Sequence, residues 1–146
     1  MNDKTICYVI SHTHWDREWY RTFESFRNRL VFLMDELIDH LENDPDYRCF
    51  HLDGQTILIE DYLEIRPGNR ERLNALLKSG RIIAGPWYVM PDEFLVSGES
   101  QIRNLLRGHE ICRSHGADPM KNGFLLDEFG HHAQMPQILA GFGCRA

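Results

Sequence analysis

The sequence predicts an α/β fold of about four parallel strand–helix units. Three observations predict it: short apolar runs alternate with segments of helical periodicity, each apolar run is followed by polar and aromatic residues, and glycine or proline separates the segments. Strands that alternate with helices form βαβ units, in which the strands lie parallel in one sheet. The chain of 146 residues is long enough for one domain with a sizeable core.

The predicted strands are four apolar runs: 5–10 (TICYVI), 47–54 (YRCFHLDG), 81–88 (RIIAGPWY) and 123–126 (GFLL). The first is almost continuously apolar, which is typical of a parallel strand that is covered on both faces. Helical periodicity marks 27–42, 55–65, 69–79, 100–116 and 132–143. Pro67 ends the second of these helices, Gly80 caps the third, and Pro136 fits only the first turn of the last.

Composition excludes several classes of partner. The net charge of −6 argues against a nucleic-acid or anionic-membrane surface, since both usually require a basic patch. No segment approaches the roughly 20 apolar residues that span a bilayer, and the first ten residues do not resemble a signal peptide. The four cysteines are spaced singly, which favours neither a disulfide framework nor a structural zinc site. These features predict a cytoplasmic protein with no nucleic-acid or membrane partner.

A candidate metal site follows the first strand. His12, His14 and Asp16 alternate, so their side chains point to one side if the strand geometry persists. Imidazole and carboxylate groups together suit Zn²⁺, and they suit cobalt as well. Asp127 ends the fourth apolar run, where an unpaired carboxylate is costly, and zinc held by His14 and Asp16 is one candidate partner. The alternative is that one histidine caps the next helix and loop carbonyls satisfy the others.

Aromatic residues lie at the same predicted edge of the sheet. Trp15 is interpreted as packing, whereas Trp19 and Trp87 are candidates either for packing or for apolar platforms under a sugar ring. Asp92 and Glu93 form a second carboxylate pair after the third strand. Because parallel strands bring their carboxyl ends to one edge, we expect these loops to converge on an active site.

Three blocks of sequence resemble the N-terminal part of the glycoside hydrolase family 38 α-mannosidases. They are HTHWDREWY (12–20), GPWYVMPDE (85–93) and GFLLDEFGHHAQMPQIL (123–139), and they follow the family's order. The HWDREWY form resembles the bacterial branch, which includes mannosylglycerate hydrolases. The resemblance implies that residues 1–146 form the N-terminal part of a catalytic (β/α) barrel. It also implies zinc-dependent hydrolysis of terminal α-mannosidic bonds with retention of configuration.

Metal ligands are implied by the resemblance residue by residue. His14 and Asp16 match two of the family's zinc ligands, and Asp127 matches the residue that is both the third ligand and the catalytic nucleophile. His12 matches a histidine that is not a ligand. The family's fourth ligand and its general acid are expected beyond Ala146. The chain is therefore interpreted as an N-terminal piece, inactive by itself and prone to self-association through an unpaired strand edge.

Substrate contacts are implied in the same way. Trp19 and Phe129 match aromatic residues of the sugar subsite, and Asp92 is interpreted as lying near the substrate, a mannoside or a mannose-containing oligosaccharide. Two other readings stay open on the residues alone. One is a different metal-dependent hydrolase, of the amidohydrolase or deacetylase type. The other is a fragment without catalytic activity that binds a metal or a sugar.

Overall fold

The fold is built on a parallel sheet of three short strands in the order β1–β2–β3. The computed structural model describes residues 4–145, and within them the strands are β1 (Ser11–His12), β2 (Phe50–His51) and β3 (Ile82–Ile83). Ser11 pairs with Phe50, which pairs in turn with Ile82. All three strands therefore end at the same edge, as a parallel arrangement requires.

The helices agree with the periodicity of the sequence. Within the described residues they are α1 (Phe23–Asn43), α2 (Ile57–Ile65), α3 (Arg70–Lys78), α4 (Gly98–Ser114) and α5 (Met135–Gly141). A 3₁₀ turn, Pro67–Asn69, joins α2 to α3. Gly80 follows α3 with φ of 71°, the left-handed conformation expected of a C-terminal glycine cap. The prediction of five helices is confirmed.

Two groups of buried side chains hold the elements together. The larger joins α1, α2 and α3 to β2 and β3, and its fully buried members on α1 are Leu30, Met34, Ile38 and Leu41. The smaller surrounds Trp87 and joins α4 to α5. Burial of apolar area of this kind is the main favourable term in folding. The sheet edge that carries the polar loops is thus fixed on a packed base.

The predicted strand at 5–10 is wrong in extent and in burial. The structure assigns a strand only from Ser11, and Ile6, Tyr8, Val9 and Ile10 are all more than half exposed. An apolar run is buried only where another element covers it, and β1 has a single sheet neighbour, β2, among the described residues. The run is therefore an uncovered apolar surface here.

The predicted fourth strand is also not found, so a four-unit barrel is not seen in residues 4–145. The chain reaches the end of β3 at Met120, whose N–H donates to Ala84. It then forms an isolated bridge between Asn122 and Arg145 instead of continuing along β3. Residues 123–131 follow as a loop without regular structure. The α/β class holds, with a sheet of three strands.

A tight turn follows β2 and shapes the polar edge. Asp53 and Gly54 have φ of 46° and 68°, both in the left-handed region. A Cβ on Gly54 would lie 2.7 Å from the Phe124 ring, so only glycine allows this close approach. The turn therefore brings the loop before Asp127 against the end of β2.

None of the helices in the described part of the chain is long and apolar enough to cross a membrane.

Candidate metal and active site

The carboxyl ends of the three strands open into a cleft of about 400 Å³. Its lining includes His14 and Asp16 after β1, Gln55 after β2, and Asp92 after β3. Asp127 and Phe129 close it from the α4–α5 loop. A larger groove, of about 950 Å³, lies between α4 and α5 and is lined mainly by arginine, lysine and helix side chains. Among the described residues, the smaller cleft is the one in which an imidazole and two carboxylates lie close enough to hold a metal.

Three side chains in the cleft form a group of the kind that holds a metal. Ligand atoms of His14, Asp16 and Asp127 all lie within 4.8 Å of one another. The His14 Nε2 atom is 3.6 Å from Asp16 Oδ2 and 3.3 Å from Asp127 Oδ2. Atoms that lie about 2.1 Å from a tetrahedral zinc ion are about 3.4 Å apart. The donor types and these spacings fit zinc without large movement.

The orientation of His14 is set by a buried carboxylate. Asp53 Oδ2 accepts from the Trp15 N–H at 2.6 Å and from the Gln55 side-chain amide at 3.0 Å, so it is an acceptor. His14 Nδ1 lies 3.1 Å from the same oxygen and is therefore the donor. The Nε2 lone pair of His14 is left free toward Asp16 and Asp127. A carboxylate that orients a ligating histidine in this way is usual in metal sites.

Asp53 itself is completely buried. Burial raises the pKa of its carboxyl, and the hydrogen bonds from Trp15, Gln55 and His14 oppose that rise. The other oxygen, Oδ1, has no hydrogen-bond partner among the residues described. A buried carboxylate at this position costs free energy, and orienting His14 is the contact that gives it a role.

Gln55 joins the loops that surround the cleft. Its amide nitrogen donates to the Trp15 carbonyl at 2.9 Å, and its Oε1 atom accepts from the Met90 N–H at 3.1 Å. The loop after β1 is thereby tied to the loop after β3 through a side chain that follows β2. Trp15 packs against the larger core and edge-on to Phe26, which agrees with its interpretation as a packing residue.

The remaining candidate residues are distributed unevenly. Phe129 is 85% exposed and Asp92 is half-buried, and both line the cleft. Trp19 is 75% exposed and stacks edge-on with Tyr20, outside the cleft lining. His12 is exposed, and its Nδ1 contacts the carbonyl of the next residue, outside the His14 group.

Trp87 does not offer a platform to a sugar. It is completely buried, and its indole N–H donates to the Phe124 carbonyl at 3.0 Å. Of the two alternatives for Trp87, packing is the one found, because the turn after β3 points this ring into the core between α4 and α5. Arg17 likewise pairs with the buried Asp61 at 2.7 Å, which fixes the loop after β1 onto α2.

Two buried acids at the site were not recognised from the sequence. In the sequence, Asp53 stands only as a polar residue at the end of the predicted strand 47–54, and Glu93 as one of a carboxylate pair after the predicted strand 81–88. Each is buried, at 0% and 2% exposure. The available signal was position: Asp53 lies two residues after β2 and Glu93 five residues after the apolar run 81–88, where a carboxylate needs a partner.

Comparisons with known proteins identify the family of the chain. The model of the glycosyl hydrolases family 38 N-terminal domain matches residues 4–146. A protein of Halalkalibacterium halodurans with the provisional name mannosylglycerate hydrolase is 46% identical over 143 residues, which is 98% of this chain and 16% of that protein. Alpha-mannosidase 2 of Mus musculus is 29% identical over 140 residues, which covers 92% of this chain and 12% of the relative.

Solved structures give the same result. The crystal structure of an alpha-mannosidase from Enterococcus faecalis V583 matches with a TM-score of 0.89 and 43% identity, covering 92% of this chain and 15% of that one. A glycosyl hydrolase family 38 protein from Enterococcus faecalis matches with a TM-score of 0.81 and 41% identity. The chain thus spans between about an eighth and a sixth of the length of these relatives. On the matched residues and the shared fold, the chain belongs to the glycosyl hydrolase family 38 N-terminal domain family.

Proposed function

We propose that this chain supplies metal ligands and the nucleophile of a zinc-dependent, retaining α-mannosidase. The observation that carries the proposal is the group formed by His14, Asp16 and Asp127, whose ligand atoms lie within 4.8 Å of one another in an open cleft. Its donor set is one nitrogen and two carboxylates, which zinc accepts. Family membership supports a mannoside as the substrate, since several of the relatives are named alpha-mannosidases.

His14, Asp16 and Asp127 would hold the ion. Bound there, zinc would supply a Lewis acid for the hydroxyl groups of the sugar. Asp53 keeps the Nε2 lone pair of His14 directed at the ion by accepting the Nδ1 proton. The side chain of Asp127 is 55% exposed, so one carboxylate oxygen can face His14 while the other is open to the cleft.

Asp127 is the nucleophile in this proposal. One of its oxygens forms a bond to the anomeric carbon, the bond from that carbon to the leaving oxygen breaks, and an acid gives the leaving oxygen a proton. Water then breaks the glycosyl ester and restores the carboxylate. Two displacements at one carbon retain its configuration. The acid is not assigned to any residue between 4 and 145.

Substrate contacts are proposed for the cleft walls. Phe129 presents an exposed ring beside Asp127, and an apolar face of a sugar ring would rest on it. Asp92 would accept hydrogen bonds from sugar hydroxyl groups. Trp19 lies outside the cleft lining but is exposed, and it would reach a substrate that extends past the loop after β1.

An assay of the complete protein tests the proposal. The protein would be freed of metal with a chelator, reloaded with zinc, and given p-nitrophenyl α-mannoside, mannosylglycerate or an acetylated sugar. We expect mannose release that needs zinc, with the α-anomer of mannose formed first in NMR spectra. Acetate release in place of mannose would indicate a deacetylase. The β-anomer as first product would contradict a covalent role for Asp127.

A further inference from the structure

Glu93 is a buried residue whose side chain makes hydrogen bonds to the loop that carries Asp127. Its side chain has 0% exposure and lies between the β3–α4 loop and the α4–α5 loop. Its Oε1 atom accepts from His131 Nδ1 at 2.7 Å, and its Oε2 atom accepts from the His132 backbone N–H at 2.9 Å. A fully buried carboxylate is tolerated only when its oxygens have donors, and here each oxygen has one.

The backbone of Glu93 takes part in the same network. Its N–H donates to Glu128 Oε2 at 3.1 Å, and its carbonyl accepts from Gln101 Nε2 at 3.0 Å. Gln101 is buried on α4, and its Oε1 atom lies 2.7 Å from His132 Nε2. Because that oxygen only accepts, Nε2 of His132 carries the proton. One residue thus connects the loop after β3, the helix α4 and the segment 128–132.

The loop that carries Asp127 has few other anchors in the described residues: before Asp127, the Phe124 carbonyl accepts from Trp87. No residue between 124 and 131 makes a backbone–backbone hydrogen bond there, since the predicted fourth strand is not formed. At Gly130, φ is 151°, and a Cβ would lie 2.6 Å from the Phe94 ring. The segment therefore passes close to the β3–α4 loop and is fixed by side-chain bonds rather than by a sheet.

We propose that Glu93 is a positioning residue: its bonds to His131 and His132 place the Asp127 carboxylate opposite His14. The inference rests on the proposed function, because the placement matters only if Asp127 binds zinc and the substrate. Glu93 does not line the cleft, so it acts through the loop alone. Loss of a group that orients a metal ligand directly typically lowers metal affinity or activity 10- to 100-fold, and we expect an effect within that range for Glu93, which acts through the loop.

Glu93→Gln is the main test in the complete protein. The glutamine amide has one oxygen, which can still accept from His131 or from the His132 N–H. Its NH₂ group then faces the other of these two donors, so one of the two hydrogen bonds is lost. We expect zinc affinity, measured by chelator competition, and kcat to fall about 10- to 100-fold. The melting temperature of the metal-free protein should fall by only a few degrees.

Asp35→Asn is the matched control. Asp35 accepts from Tyr62 at 2.7 Å and from Arg66 at 3.1 Å on the α1–α2 side, away from the cleft. It should lower the melting temperature and leave zinc affinity and kcat within threefold of the wild type. If Glu93→Gln behaves like this control, Glu93 has a structural role only and the inference is overturned.

A pair of variants at His131 decides the case if Glu93→Gln does not fold. The His131 side chain is 59% exposed, so its replacement leaves no buried gap. His131→Asn keeps a donor near Nδ1, whereas His131→Ala removes it. We expect the Asn variant to recover most of the zinc affinity that the Ala variant loses. Equal values for the two variants would overturn the inference, while a wild type without zinc affinity or mannosidase activity would overturn the proposed function as well.

Discussion

Asp53→Asn should separate metal affinity from stability. Asp53 Oδ2 accepts from Trp15, Gln55 and His14, whereas Oδ1 has no partner among residues 4–145. Asparagine can place its oxygen where Oδ2 of Asp53 lies and its NH₂ group where Oδ1 lies. It also accepts the left-handed φ of 46° more readily than most residues. The variant therefore removes the charge and little else.

Removal of the charge should lower zinc affinity but should change the free energy of unfolding little. A hydrogen bond to a charged acceptor contributes about 1 kcal/mol more than one to a neutral acceptor. The hydrogen bond that orients His14 is weakened by this amount, so zinc affinity should fall roughly 5- to 10-fold. Burial raises the pKa of Asp53, which means that the buried charge itself destabilises the fold. Its removal offsets the weaker hydrogen bonds, and the free energy of unfolding should change by less than about 1 kcal/mol.

Two measurements on metal-free protein check this prediction. Zinc affinity is taken from competition with a chelator, and the free energy of unfolding from denaturant titration. Asp35→Asn is again the control, with stability lowered and zinc affinity kept. Unchanged zinc affinity in Asp53→Asn would refute the reasoning that Asp53 orients His14. A loss of stability as large as in the control would show that Asp53 mainly supports the fold.

Four further outcomes are expected. His14→Ala should abolish stoichiometric zinc binding in metal analysis, whereas His12→Ala should keep it; equal loss would restore His12 as a ligand. Asp127→Asn should lower kcat at least 100-fold, about 2.7 kcal/mol of barrier, with an unchanged melting temperature, and a smaller loss would count against covalent catalysis. Burial lowers the pKa of His51 to about 4, so the unfolded state binds its proton first as pH falls. Stability should therefore drop by up to about 3 kcal/mol between pH 6.5 and 4, and less in His51→Met. Val9→Lys should reduce self-association of the 146-residue chain in sedimentation, since Val9 is 89% exposed.

The helices could be predicted because their signal is local. Apolar residues on one face of α1 recur at helical spacing whatever lies around them, and seven of its residues are buried as that spacing requires. Its start at Phe23, four residues before the predicted start, was not marked, because Thr22 makes no side-chain cap hydrogen bond. Helix α4 begins at Gly98, two residues before its predicted start, and there Ser97 caps the helix by accepting from the Ser100 N–H.

The strands could not be predicted to the same degree. An apolar run becomes a buried strand only with neighbours on both sides. Val9 and Leu126 lie in the two runs that form no strand, and they are 89% and 55% exposed. Sequence spacing cannot supply those neighbours. The same limit applied to the site. His14, Asp16 and Asp127 stood out by type and position. Two of the three partners of Asp53, Trp15 and His14, lie 38 and 39 residues away along the chain and meet it only after folding.

The loop 124–131 makes metal loading and local order two aspects of one equilibrium. Its amides have no backbone partner in the described structure, so the loop should open at a smaller free-energy cost than the core. An ion held by His14, Asp16 and Asp127 would bind only the closed loop, so the ratio of closed to open loop would rise in proportion to the excess of ion over Kd. Each tenfold increase in that excess should slow hydrogen exchange of the loop amides about tenfold. Exchange rates in this loop would then report occupancy of the site without any substrate present.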